Sequence, residues 1–357
     1  MKNVINDILH IMKTINTAIT SYGMSGTIFH GPLLEAHKGF SVKKVLERHL
    51  NNSEGKHPEA HVVRNYESIL VDPEIELIVV NTPDYLHYEM VKQALEAGKH
   101  VVVEKPFTLQ SSEADKLIEL SREKNLMLTV FQNRRWDGDF LTVIKVIKEG
   151  KLGRLVSFEA HFDRYRSYIQ ESWKEDSKVG AGTLYNLGSH MIDQALVLFG
   201  MPEYIFADVR KQRTGADVDD SFDIIMHYPD IKCMVRGSYL VKEQGPRYIL
   251  HGTDGSFLKT GLDPQETELK AGVIPGRSDW GKDDPELYGT LTTGGDDSTI
   301  RKTIPTIPGN YMAFYDNIYE HLREGAPLGV KPEEARDVIR IIEAAYESAV
   351  NGEVKAV

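Results

Sequence analysis

Between Gly98 and Phe107 the chain reads Gly-Lys-His-Val-Val-Val-Glu-Lys-Pro-Phe. Three successive valines leave a strand no polar face, so it must be covered on both sides, as an inner strand of a parallel sheet is by flanking helices. Ligands bind such a sheet at the carboxyl edge of its strands. The triplet delivers Glu104 and Lys105 to that edge. Desolvating a lysine is costly unless an anionic or polar group meets it. On these ten residues alone, Lys105 reads equally as a site residue and as a solvated loop lysine before a strand-ending proline.

The preceding residues repeat the pattern. Ile15 to Thr20 predicts a first strand, followed by Ser21-Tyr22-Gly23-Met24-Ser25-Gly26-Thr27 and an apolar segment opening a helix. Strand, glycine turn and helix form the context in which G-x-G-x-x-G cradles a pyrophosphate on helix amides. Ser21 stands where the first glycine would be, while Gly23 and Gly26 keep the positions needed for cofactor approach and helix packing. A second strand, Val42 to Leu46, ends in Glu47-Arg48, about twenty residues on, where an acidic side chain binds the ribose diol of NAD. Glu47 would repel a 2′-phosphate and Arg48 would receive one, so NAD and NADP both stay open; Glu47-Arg48 also reads as a plain polar loop. Ile75 to Val80 predicts another buried strand, followed by Asn81-Thr82-Pro83-Asp84 and a helix burying Leu86, Met90, Ala94 and Leu95, with His87 in its first turn. A helix over 111–124 and a strand over 126–131 follow. Alternation of this kind through residue 133 predicts a doubly wound sheet.

The second half changes period. After a helix over 137–149, alternating strands are expected at 154–162, 204–210, 221–228, 232–239 and 247–251, giving a mostly antiparallel sheet with one face on helices. Between the first two of these, Leu184, Leu187, Met191, Ala195 and Leu198 form a buried helical stripe. Asn186, His190 and Asp193 then share another face, directed into a cleft or simply solvated. Residues 252–309 are rich in Gly, Asp, Pro and Thr and predict long loops. Helices are expected over 310–324 and 332–350. The expected architecture is therefore α/β: a Rossmann-type domain over 12–133, and an α+β domain with a large open sheet over 134–357. The last helix is free to pack back on the first domain, and residues 1–11 form an extension.

Composition narrows the function. The 42 basic residues against 53 acidic ones give a net charge of −11. That charge is spread without blocks of one sign, which argues against a nucleic-acid surface. No apolar run is long enough to cross a bilayer and the amino terminus lacks the pattern of a secretory signal, so the cytoplasm is the expected address. Cys233 is the single cysteine, which excludes intrachain disulfides and argues against thiolate metal sites. No metal is expected, and the partner is expected to be a small molecule.

Taken in order, several motifs resemble those of the glucose-fructose oxidoreductase and inositol dehydrogenase family, Gfo/Idh/MocA. They are the glycine-turn strand, Thr82-Pro83 with His87, Gly98-Lys99-His100 through Glu104-Lys105-Pro106, and Gly188-Ser189-His190 with Asp193. Phe131-Gln132-Asn133-Arg134-Arg135-Trp136-Asp137, Phe162-Asp163-Arg164-Tyr165-Arg166 and Gly245-Pro246-Arg247-Tyr248 are most similar to its scyllo-inositol dehydrogenase branch. The resemblance covers nearly the whole chain from Met12. It implies hydride transfer between NAD or NADP and a secondary alcohol of a cyclitol or sugar, and a homodimer or homotetramer formed through the second sheet. It places Lys105 and His190 in catalysis with Asn186 beside the substrate, where many members carry aspartate. Cofactor contacts would fall on Tyr22, Gly23, Met24, Ser25, Gly26, Glu47, Arg48, Thr82, Pro83, His87, Glu104 and Lys105. Substrate contacts would fall on Arg164, Tyr165, Trp173, Asn186 and His190, with Tyr185 a weaker candidate.

The residue types suit that chemistry. Alcohol oxidation needs a base within hydrogen-bond reach of the hydroxyl, and a histidine with an ordinary pKa of roughly 6.5 accepts a proton at neutral pH. A protonated lysine stabilises developing alkoxide. Two other readings share the fold: a glycoside hydrolase or epimerase that retains its NAD, and a non-catalytic nucleotide sensor. The presence of both Lys105 and His190 weighs against the sensor.

Overall fold

A computed structural model of the chain describes residues 14–172, 175, 180–295 and 297–357. The expected extension at 1–11 lies outside the described residues. The first sheet is wholly parallel, in the order β3 (His61–Val63), β2 (Phe40–Leu46), β1 (Ile15–Ile19), β4 (Leu77–Val80), β5 (His100–Val103), β6 (Leu128–Val130). The chain reverses direction across the sheet between β1 and β4, the crevice where this topology binds ligands. Leu77, Ile78, Val79 and Val80 are fully buried, as are Val101, Val102 and Val103, which is the two-sided burial that their unbroken apolar runs require.

Helices cover both faces. Residues Gly26–His30 form a π-helical turn that continues into α1 (Gly31–Ala36). A Cβ on Gly26 would stand 2.2 Å from the Ser21 carbonyl oxygen, so only glycine lets the turn close this tightly on β1. After α2 (Glu67–Leu70) come α3 (His87–Glu96) and α4 (Ser111–Glu123). Helix α4 opens with a capping box between Gln110 and Glu113. Past β6, α5 (Gly138–Lys148) leads into the second sheet.

That sheet begins with β7 (Leu155–His161), followed by α6 (Ser189–Phe199), β8 (Tyr204–Arg210), β9 (Ser221–His227), β10 (Lys232–Ser238), β11 (Tyr248–Gly252) and β12 (Gly255–Lys259). Beyond them are α7 (Gln265–Lys270), β13 (Gly289–Thr293), β14 (Ile300–Ile304), α8 (Met312–Glu324), α9 (Pro332–Asn351) and β15 (Lys355–Ala356). The strand order is β14-β13-β12-β11-β7-β10-β9-β8-β15, with only the β7–β10 pair parallel among the described residues. Alternation sets its two faces: Ile205, Ala207, Phe222, Ile224 and Met226 are buried, while Phe206, Ile225 and Leu258 are exposed.

Residues 252–309 are not the long loops expected, because they contain β12, α7, β13 and β14. Their signal is weak for a physical reason. Strand β13 buries a single apolar side chain, Leu291, and the edge strand β14 exposes Arg301, Lys302 and Thr303, so there is little alternation to read. Helix α9 returns to the first sheet, where Glu343 accepts from the backbone amide of Ser111 (2.9 Å) and Arg336 pairs with Asp115 (2.6 Å) on α4.

Candidate active site

A cavity of about 530 Å³ opens between the carboxyl edge of the first sheet and the start of the helix that leads into α6. Gly23, Met24, Ser25, Thr82, Pro83 and His87 line it from one side, and Glu104 and Lys105 reach it from the end of β5. Tyr185, Asn186, His190 and Arg164 line it from the second domain.

The three candidate catalytic residues share this cavity. Lys105 Nζ donates to the Asn186 carbonyl oxygen (2.8 Å) and, more weakly, to its side-chain Oδ1 (3.4 Å). His190 follows one turn later and is buried. Leu184–Gly188 form a π-helical turn feeding α6, and its start is set by Asp219, a residue that sequence reasoning missed. Asp219 accepts from the Leu184 amide (2.8 Å) and from the Tyr346 hydroxyl (2.6 Å). Burial pushes its carboxyl up from the ordinary range, against the pull of those hydrogen bonds. Gly182, at φ +100°, is the only residue type that fits there, since a Cβ would lie 2.2 Å from Asp219 Oδ1.

Glu104 is held from behind. Its Oε1 lies 3.1 Å from His30 Nε2, and His30 Nδ1 lies 2.7 Å from the Tyr315 hydroxyl on α8. Its Oε2 accepts from the Lys105 amide (3.0 Å). Burial alone would raise the Glu104 carboxyl, but the His30 hydrogen bond and the charges around it hold it below the usual range. His87 bridges the two turns of the cavity wall, its ring nitrogens each 2.9 Å from the carbonyl oxygens of Pro106 and Thr82. Asn81 does similar work for the glycine loop, donating to the Ser21 carbonyl (2.8 Å) and Ser25 Oγ (3.2 Å).

Other candidates sit elsewhere than expected. Glu47 is not poised for a ribose: only 6 % exposed, its carboxylate accepts from the amides of Asn52 (2.8 Å) and Ser53 (2.9 Å) and from Ser53 Oγ (2.5 Å). The acidic side chain at the end of β2 folds back as a loop cap, whereas Arg48 beside it is exposed. Tyr22 is buried, with its hydroxyl 3.0 Å from His57 Nε2, and Gly26 packs against β1 rather than lining the cavity. Tyr165 is 48 % exposed and faces away, beneath Lys242 Nζ at 4.7 Å from its ring centroid. In contrast, Tyr185 does line the cavity, with its hydroxyl donating to the Leu109 carbonyl (2.9 Å). Asp193 leaves the face it was expected to share with Asn186 and His190, because Arg135 captures it through two hydrogen bonds (2.8 and 2.6 Å). Trp173 lies outside the described residues. Among the described residues no His, Cys, Asp or Glu cluster could hold a metal ion, and no helix is long and apolar enough to cross a membrane.

The glycine loop fits a dinucleotide. Gly23 has open space around it, a Cβ there meeting only Ser21 Oγ at 3.5 Å, so the backbone of residues 23–25 lies bare along the cavity at the start of a helical run over 24–36. Comparison with known proteins agrees. The NAD-binding Rossmann-fold domain of the Gfo/Idh/MocA oxidoreductases matches residues 15–132, and their C-terminal alpha/beta domain matches residues 144–356. The chain is 45% identical over 340 residues to the scyllo-inositol 2-dehydrogenase (NADP(+)) of Bacillus subtilis, covering 95% of this chain and 94% of that one. The structure of the B. subtilis oxidoreductase yvaA superposes with a TM-score of 0.94 at 43% identity, covering 97% of this chain and 99% of the other. A levoglucosan dehydrogenase in complex with NADH and levoglucosan shares the fold at a TM-score of 0.80 and 20% identity, over 96% of this chain and 99% of its own. The parallel sheet with its bare glycine loop, the open second sheet and these matches over nearly the full length make the chain an oxidoreductase of the Gfo/Idh/MocA family, with an NAD(P)-binding Rossmann domain.

Proposed function

We propose that the protein is a polyol or sugar dehydrogenase that moves a hydride between NADP and a secondary alcohol of a cyclitol or sugar. The observation that carries this reading is the meeting of Lys105 Nζ, Asn186 and His190 at the end of β5, in the cavity that the glycine loop also lines. The nicotinamide, when bound, supplies the chemistry of accepting or returning the hydride. His190 takes the hydroxyl proton at its imidazole, and Lys105 presents its ammonium to the oxygen as negative charge develops. Asn186 accepts from Lys105 and so holds the ammonium in place; being an amide, it cannot itself take the proton, which leaves that step to His190. The test is absorbance of the reduced nicotinamide while the protein meets a panel of cyclitols, aldoses and their carboxylate and phosphate derivatives with NADP and, separately, NAD. Silence across the panel with cofactor bound would overturn the reading.

The preference for NADP is supported by the loop after β2. Glu47 spends its oxygens on the amides of Asn52 and Ser53 rather than offering them to a ribose diol, and Arg48 beside it is exposed to receive a 2′-phosphate. The B. subtilis relative is named as an NADP(+) enzyme. Charge-assisted hydrogen bonds contribute about 1.5 to 3 kcal/mol, so Arg48→Ser should weaken NADP binding by about tenfold to a hundredfold and change NAD binding little. Fluorescence titration with both cofactors checks this, and equal losses for the two would remove Arg48 as the reader of the phosphate.

A second copy of the chain is the proposed cover for the outer face of the second sheet. Phe206 and Ile225 are direct partners across β8 and β9, so together they present an exposed apolar pair to which Leu258 on β12 adds. Sedimentation velocity should find a dimer or larger assembly that the double variant Phe206→Glu, Ile225→Glu dissociates. A monomeric parent protein would refute this.

A further inference from the structure

One cation of the cavity forms no ion pair among the described residues. Five cationic side chains line it besides Lys105: Arg134, Arg164, Arg166, Arg213 and Lys270. Four of them are paired. Arg134 bonds Asp137 (3.1 Å) and Glu266 (2.5 Å), Lys270 bonds Glu266 (2.6 Å), Arg166 pairs with Glu175, and Arg213 pairs with Asp220 (2.9 Å) and Glu175 (3.2 Å). Among the described residues these four cations share the carboxylates of Asp137, Glu266, Glu175 and Asp220, and the fifth, Arg164, forms no ion pair. The Arg164 guanidinium makes no ion pair or hydrogen bond with a described residue. Asp163, next to it in sequence, faces His161 instead (3.7 Å). Asp219, which also lines the cavity, is taken up by Tyr346 and the Leu184 amide.

Arg164 is nonetheless held in place. Its main chain is pinned in both directions, its amide donating to the Ser238 carbonyl (2.8 Å) and its carbonyl accepting from the Val241 amide (3.0 Å). Its guanidinium carbon lies 4.9 Å from the centroid of the Phe162 ring, which two further guanidinium groups, of Arg134 and Arg247, also approach at 5.3 and 4.6 Å. Burial pulls its proton affinity below that of an ordinary arginine, Tyr239 and Glu266 offset part of this, and the like charges of Arg134 and Arg166 add to it. A fixed, partly desolvated guanidinium facing a cavity with no ion pair among the described residues is a costly arrangement, and it becomes favourable when a ligand brings a negative charge to it.

We propose that the substrate carries an anionic group, a carboxylate or a phosphate ester, and that Arg164 binds it while the alcohol lies at Lys105 and His190. The proposal rests on the hydride-transfer reading of this cavity. A guanidinium fork accepts both anions through two parallel hydrogen bonds, so the two share one recognition chemistry. Neutral polyol hydroxyls satisfy the donors of Arg164 but leave its charge unanswered. The class that fits is therefore a sugar acid or a sugar phosphate.

Isothermal titration calorimetry of the NADP-saturated protein with D-glucose, D-glucuronate and D-glucose 6-phosphate tests this without requiring turnover. At least one anion should bind tenfold or more tightly than glucose, and which one does so separates carboxylate from phosphate. Arg164→Gln should bring that anion to within about twofold of glucose, and Arg164→Lys should restore part of the preference. Thermal unfolding of both variants within a few degrees of the parent shows that the fold is intact. Glucose binding as tightly as either anion, an anion preference that survives Arg164→Gln, or no measurable binding of either anion would each overturn the proposal. Lack of turnover across the whole panel, its carboxylate and phosphate members included, would instead overturn the dehydrogenase reading, while Arg164-dependent anion binding would stand.

Discussion

His190→Asn is expected to lower kcat by about 10² to 10⁴-fold, the range lost when a positioned general base is removed. Asparagine keeps a polar side chain of similar reach at the start of α6 but cannot accept the hydroxyl proton. Cofactor affinity should hardly change, because the glycine loop and the β2 loop that carry it lie on the first sheet. The pH profile is the more telling readout. In the parent, kcat should fall on the acid side as the base becomes protonated. In the variant that limb should disappear, leaving a low and nearly flat profile. A variant that keeps both the parent rate and the acid limb would show that another group takes the proton.

Lys105→Ala should cost about 10² to 10³-fold in kcat, the scale of removing one preorganised donor from a developing oxyanion. The prediction separates two readings that the ten residues around Lys105 leave equal. A solvated loop lysine would be silent in kcat. The structure instead directs Nζ to the Asn186 carbonyl at 2.8 Å, across the cavity from its own strand. If the ammonium acts on charge that exists only in the transition state, kcat and kcat/KM should fall together, with NADP affinity little changed. A rise in KM with kcat intact would make Lys105 a binding residue only, and an unchanged kcat would remove it from the mechanism.

Most of the first sheet was legible from the chain, because burial on both faces writes itself into sequence. Runs such as Leu77-Ile-Val-Val and Val101-Val-Val have no other stable environment in a protein of this composition. The glycines of the first turn were equally readable, Gly26 because a Cβ would meet the Ser21 carbonyl at 2.2 Å. Elements at the margin of the second sheet were not legible. Strand β14 has polar neighbours on both sides of an edge, and its order comes from its hydrogen bonds to β13 rather than from a buried stripe.

In the candidate site the division runs between where a residue sits along an element and what its side chain finds across the gap. Helical spacing places Asn186, His190 and Asp193 on one face, but only the first two reach the cavity, because Arg135 arrives from the segment after β6 and captures the third. Glu47 occupies the position from which ribose is read, and the local turn then supplies two amides that take its carboxylate. Tyr165 and Arg164 are neighbours on an extended segment, so one points to solvent when the other points inward, and the alternation itself does not say which.

What this sequence determined by itself is therefore the pair of sheets, the strand end that carries Glu104 and Lys105, and the family to which its ordered motifs belong. The sheets and the strand end depend on local burial patterns and on backbone sterics, which act within a few residues, and the family rests on the resemblance of the motifs. Only the tertiary structure decided that Lys105 meets Asn186, that His30 and Tyr315 brace Glu104, and that Arg164 is the cavity cation with no ion pair among the described residues. Each of these is a contact between segments far apart in the chain, set by how the two sheets and their helices pack, and charge pairing across such a gap leaves no periodic trace in sequence.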